Sequence, residues 1–210
     1  MEGSLAQGTA VPSPYTYPPA PHVRRHGPAG WDNYQYYRPW IRDEFAFRCV
    51  YCLDRERWRD MRGAFHIDHW QPQARRPDLG HDYANLLYLC PACNSLKRAS
   101  ILPDPCAVAL GDSLRVHPDG RIEALNEAGE CLIETLALDS PHARDRRRLI
   151  LGTLLSLAAT NSPELVEWLR FPDDLPNLTT PPKPPSNSKP QGVLDSHYER
   201  RSRKELPSTY

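Results

Sequence analysis

Residues 49 to 97 decide the fold. They read Cys-Val-Tyr-Cys at 49–52, His-Ile-Asp-His at 66–69, Asn85 ahead of Leu-Leu-Tyr-Leu, and Cys-Pro-Ala-Cys-Asn at 90–94, with Lys97 three residues on. Two Cys-x-x-Cys pairs offer four thiolates, the donor set of a closed tetrahedral structural Zn²⁺ site. Such a site holds shape and leaves no position open for chemistry. The 37 residues between the pairs exceed the roughly 15–20 of simple zinc ribbons, so a substructure is inserted between them. The spacing of apolar residues and breakers predicts that insert as a short strand over 64–69, a loop over 72–80 and a second strand over 83–89, with a short helix over 93–99 after it.

Asp68 and His69 close the first predicted strand, where successive side chains alternate between faces. Phosphodiester hydrolysis needs a carboxylate to hold a hard cation beside a phosphate oxygen and an imidazole to take a proton from water. Asp-His supplies both in two residues. Alone the pair says little. Here it lies between the cysteine pairs, with Trp-Gln-Pro after it, then Asn85-Leu, then Cys93-Asn94 and Lys97.

In that order these elements resemble the HNH endonuclease family, with its ββα-metal core and, here, a four-cysteine zinc site. The resemblance covers about 50 residues. It implies that His69 is the general base, that Asp68 and Asn94 hold a catalytic ion, that Asn85 braces the loop and keeps His69 oriented, and that Lys97 meets a phosphate of the nucleic acid. Cys49, Cys52, Cys90 and Cys93 would hold the structural zinc. Many relatives carry an acid where this chain has His66. His66 shares a strand face with Asp68, so it is a further candidate ligand, alternatively a residue orienting Asp68 or merely packed. The implied catalytic ion is Mg²⁺ or Mn²⁺, with Ni²⁺ or Zn²⁺ favoured should His66 coordinate it.

Outward from this stretch the chain is simpler. Residues 31–47 are rich in aromatics, and Pro39 sets the start of a predicted helix over 39–45. These rings are read as core, with base stacking as the alternative. Beyond the motif, Asp-Gly at 119–120 between alternating segments predicts a hairpin. Helices are expected over 126–138, from Ser140-Pro141 to about 160, and over 162–170. Cys106 and Cys131 are expected to be ordinary core thiols.

Proline makes up 23 of 210 residues, about twice average usage, and gathers at the ends. Residues 1–30 are therefore expected to be a disordered tail, and 172–210 a Pro-rich extension. The organisation is thus a tail (1–30), a zinc-stapled nuclease core (31–100), a hairpin and helical support (101–171) and the extension (172–210), an α+β fold with disordered Pro-rich ends. Lys plus Arg equals Asp plus Glu at 26 each, so overall charge carries no nucleic-acid signal, and the local arginine clusters read as solvated faces. No signal peptide or membrane span is visible, so a cytoplasmic location is expected.

The expected function is metal-dependent cleavage of DNA, with a diffuse likeness to proteins of bacterial defence and mobile elements. The alternatives are a non-catalytic zinc module binding nucleic acid or protein, and a nuclease subunit directed by a protein partner. Oligomeric state is not legible.

Overall fold

The computed structural model describes residues 13–59, 65–180 and 182–210. At its centre β2 (His66–His69) pairs antiparallel with β3 (Leu86–Leu89), in the register His66 to Leu89 and His69 to Leu86. The pleat turns Ile67 and His69 into the protein and leaves His66 exposed and Asp68 half-buried. All four residues of β3 are buried, because α1 (Arg38–Glu44) and α2 (Pro91–Lys97) both pack on it. The order β2, loop, β3, α2 is the expected strand-loop-strand-helix, with the two cysteine pairs flanking it. Residues 83–85 form a 3₁₀ turn ahead of β3 instead of extending it, with Asp82 Oδ1 accepting from the Ala84 amide.

α1 places Pro39 in its first turn, where a missing amide hydrogen costs nothing. It buries Trp40 and Ile41, but also Arg42, Asp43 and Glu44, which water would otherwise hold. Each is compensated. Arg42 forks onto Glu56 at 3.0 and 2.8 Å. Asp43 accepts from the ring nitrogens of His26 at 2.8 Å and His197 at 2.9 Å. Glu44 accepts from the His22 ring and the amides of Arg25 and His26, with Tyr83 donating from its hydroxyl.

These partners explain why the ends of the chain pack. The expected tail falls outside the described residues at 1–12, but over 13–30 it is an arm on the core. Tyr15 and Tyr17 are buried, donating to Asp54 and to the Tyr51 carbonyl. Arg24 donates to the Leu86 carbonyl, capping the β3 edge. β1 (Pro28–Ala29) then pairs with β6 (Ser186–Asn187) of the extension. The extension, with α6 (Gln191–Leu194) and α7 (His197–Ser202), closes over Phe47. There Phe171 and Leu175 are buried and Tyr210 stacks on Phe171 at 4.3 Å. Composition predicts a free chain here because prolines outnumber aliphatics. Anchoring instead comes from tyrosines and histidines on buried acids.

Between arm and extension lie the hairpin β4 (Leu114–Val116) and β5 (Ile122–Ala124), then α3 (Glu127–Leu136), α4 (Pro141–Ala159) and α5 (Glu164–Leu169). Asn126 and Ser140 cap α3 and α4 through their side-chain oxygens. A Cβ on Gly129 would collide with the Ser113 carbonyl, so this glycine is what lets α3 close on the hairpin.

Two other expectations need correction. Within the arginine-rich 55–62 segment, Arg55 and Glu56 are buried. Arg55 lies against the Tyr210 ring and donates to the Leu169 carbonyl at 2.9 Å, so at Arg55 and Glu56 the chain is not a solvated face. Of the two remaining cysteines, Cys106 is half-buried and Cys131 is exposed on α3.

The buried acids of α1 give an acid-stability prediction. Burial pushes the Glu44 carboxyl up, but the His22 hydrogen bond and the Arg25 amide overcome it and bring it down to about 2. Burial likewise opposes Asp43, and the bonds from His197 and His26 hold it well below the usual carboxylate range. A depressed carboxyl stabilises the fold above its unfolded value, near 4.5 for Glu44, and the contribution is lost as pH falls toward about 2. For Glu44 it amounts to about 3 kcal/mol. Urea unfolding should therefore weaken between about pH 5 and pH 2, and Glu44→Gln should flatten that decline. An equally steep decline in the variant would place the acid sensitivity elsewhere.

Candidate functional site

The two cysteine pairs meet. The four Sγ atoms lie within 4.8 Å of one another, and all but Cys52 are buried. Cys52 and Cys90 Sγ are 3.6 Å apart, too far for a disulfide and close to the roughly 3.8 Å sulfur-sulfur edge of a tetrahedron with Zn–S near 2.3 Å. Hydrogen bonds from Cys49 and the other thiols push Cys52 and Cys93 up and Cys90 down. The donor set and spacing fit a structural zinc ion. Backbone contacts build the first knuckle, with Leu53 N donating to the Cys49 carbonyl and Val50 N to the Tyr88 carbonyl. The second sits on the first turn of α2, where Cys90 Sγ accepts from the Cys93 amide.

His69 is buried at the end of β2. Its Nε2 lies 2.9 Å from the Gly80 carbonyl. A carbonyl can only accept, so in the neutral ring the proton sits on Nε2 and the basic lone pair on Nδ1. Burial lowers the imidazole pKa below its ordinary value, against the pull of the Gly80 carbonyl and Asp68. The ring is therefore neutral at neutral pH. Tyr34, in the 3₁₀ turn before α1, packs on it at 4.7 Å between centroids and 74° between planes.

Asn85 ties the two ends of the β2–β3 loop together. Its Oδ1 accepts from Gln71 N at 2.8 Å, and its Nδ2 donates to the carbonyls of Gln71 at 3.0 Å and Leu79 at 3.3 Å. Leu79 precedes Gly80, so the amide that braces the loop also fixes the carbonyl that holds His69.

Asp68 faces α2. Its Oδ2 lies 2.7 Å from Lys97 Nζ, and the same ammonium donates to the His69 carbonyl at 2.8 Å. Asn94 sits one turn before Lys97 on the same helix face, half-buried, with no hydrogen-bond partner for its side chain among the described residues. His66 is exposed on the strand face of Asp68. Among the described residues the four-cysteine cluster is the sole group of three or more His, Cys, Asp or Glu donors close enough to share an ion.

Lys97 departs from expectation. Its side chain has no exposure, so it does not meet a phosphate. It is a helix residue directed inward, its charge balanced by Asp68. The expectation failed because the helix face of Lys97 follows from how α2 docks on β2, which spacing alone does not give. Arg75, in the β2–β3 loop, and Arg98, just past α2, are exposed and have no acidic partner among the described residues. His81 is an exposed loop residue. Sequence reading missed the Tyr34 contact and the Gly80 carbonyl. Neither carries a motif, though a tyrosine in an aromatic run ahead of an Asp-His strand was a weak pointer.

The Lys97 pair yields a stability prediction. Removing one partner of a buried ion pair leaves the other uncompensated, at about 3–5 kcal/mol. Asp68 keeps some exposure, 19 % of its side chain, so Lys97→Met should cost about 3 kcal/mol or less in urea unfolding. A surface phosphate contact would instead leave stability unchanged.

Residues 49–100 match the family model described as HNH endonuclease, which covers about a quarter of the chain. The match spans both cysteine pairs and all of the residues above except Tyr34, and it supports a nuclease-type function. No curated protein matches the chain. Among the described residues, no helix is long and apolar enough to cross a membrane.

Proposed function

We propose that the chain is an endonuclease that hydrolyses phosphodiester bonds in DNA with the help of a divalent ion. The observation that carries this is the convergence of Asp68, His69 and Asn85 on one ββα element stapled by the four-cysteine cluster. His69 Nδ1 takes the proton of the attacking water. The Gly80 carbonyl fixes the ring's tautomer and Asn85 fixes Gly80. Asp68 and Asn94 would hold the ion, with Lys97 beside the Asp68 carboxylate and donating to the His69 carbonyl. When bound, such an ion stabilises the charge that develops on the phosphate and the leaving oxygen. Bond cleavage on the 3′-oxygen side leaves 5′-phosphate and 3′-hydroxyl ends. Mg²⁺ or Mn²⁺ suits an Asp-and-amide donor pair, and His66 turned inward would shift the preference toward Ni²⁺ or Zn²⁺.

The test is a plasmid assay with the zinc-loaded chain. Supercoiled DNA should be nicked on adding Mg²⁺ or Mn²⁺, and Asp68→Ala should remove the ion dependence and the activity together. Nicking by Asp68→Ala at the parent's rate would reject the assignment.

A further inference from the structure

The aromatic segment before α1 divides in two. Tyr37, Trp40, Phe45 and Phe47 are core. Trp31 and Tyr34 are only partly buried, and Tyr36 is 51 % exposed. Trp31 lies 6.1 Å from Tyr36 and 4.9 Å from buried Tyr37, so the exposed rings rest on a rigid base. Tyr34 in turn touches His69. Trp31 and Tyr36 thus flank, within three positions along the chain, the ring that meets the proposed base.

Such a rim needs an explanation, because exposed aromatics beside a catalytic group leave apolar surface unburied. The charge inventory suggests one. The chain has zero formal net charge, and Arg57, Arg76, Arg144, Arg148, Arg170 and Arg203 lie on carboxylates of the same chain. Phosphate attraction, which ordinarily dominates nucleic-acid affinity, is thus left in the ββα element to few unpaired cations such as Arg75 and Arg98. Base stacking on aromatic rings is the other general source of affinity, and it is open to bases that are not paired in a duplex.

We infer that Trp31, Tyr34 and Tyr36 form a stacking rim beside His69 that takes an unpaired base next to the bond to be cut, so that the preferred substrate is single-stranded or locally unpaired DNA. This rests on the nuclease reading. Tyr34 has a double part, since its ring also positions His69. Tyr36 touches neither His69 nor the proposed ion ligands and reports on stacking alone.

The experiment uses the full chain with its zinc and no other added divalent ion. It is titrated against a DNA oligonucleotide carrying 2-aminopurine, first as a single strand and then annealed to its complement. The single strand should bind at least about tenfold tighter than the duplex, with quenched 2-aminopurine emission and a shallow dependence on salt. Tyr36→Ala should weaken single-strand binding about fivefold or more, and Tyr36→Phe should restore it. With the divalent ion added, Tyr34→Ala should lower kcat as well as raise KM, whereas Tyr36→Ala should act mainly on KM. Duplex binding as tight as single-strand binding, or unquenched emission, overturns the rim, and so does a Tyr36→Ala variant that binds like the parent. Quenching without any ion-dependent cleavage would keep the rim and reject the nuclease reading. Cleavage without quenching would do the reverse.

Discussion

His69→Ala is expected to reduce ion-dependent DNA cleavage by about 10²–10⁴-fold, the usual contribution of a positioned general base. The size follows from what the ring does at its site. It is buried, neutral and held in one tautomer by the Gly80 carbonyl, so it is ready to accept a proton without reorganising. Alanine removes the acceptor and leaves the proposed ion ligands Asp68 and Asn94 in place. Residual activity should therefore still depend on added Mg²⁺ or Mn²⁺. The fold should persist, because His69 contributes one side-chain hydrogen bond while the β2–β3 register is carried by the backbone. The measurement is the initial rate of plasmid nicking, with far-ultraviolet circular dichroism as the control. A variant that nicks at the parent's rate would move the base elsewhere.

The second large effect is on stability. Cys90→Ser, or stripping the metal with a strong chelator, is expected to unfold the ββα core. Structural zinc binding in small domains is worth about 10–16 kcal/mol at neutral pH, as large as the whole stability of an ordinary domain at about 5–15 kcal/mol. Here the staple joins the knuckle at 49–52 to the first turn of α2. Without it β2 with β3 is a two-stranded ribbon of four residues each, too short to stand alone. The expected readings are one zinc per chain by metal analysis, loss of that zinc in Cys90→Ser, and collapse of the near-ultraviolet signal from Tyr51 and Tyr88, both buried beside the site. A zinc-free chain with an unchanged near-ultraviolet spectrum would contradict the staple. A fully folded Cys90→Ser protein that still binds zinc would assign the ion other ligands.

The motif carried a large part of this protein's reading. The structure brings the four thiols of the Cys-x-x-Cys pairs together, and Asp68-His69 and Asn94 lie on the strand and the helix that spacing predicts. α1, the hairpin and the helices α3 to α5 begin near their proline and cap signals, since a missing amide hydrogen or a side-chain cap acts within one turn. Errors gathered where the deciding partner is distant in sequence. His197 meets Asp43 across 154 positions and Arg55 meets the Leu169 carbonyl across 114. No local pattern announces such pairs, so Pro-rich segments that look unable to fold are in fact anchored by contacts with residues far away in the sequence.

The sequence by itself therefore determined the metal-binding thiols, the order of the ββα element and the chemical groups available to it, because these depend on residue type and short spacing. Only the tertiary structure decided that Lys97 points inward to Asp68, that the Gly80 carbonyl meets His69 Nε2, and that Tyr34 packs on His69. Those depend on which face of each element is buried. That face is set by helices and arms docking from elsewhere in the chain, where the cost of leaving a charge or a carbonyl unpaired selects one arrangement.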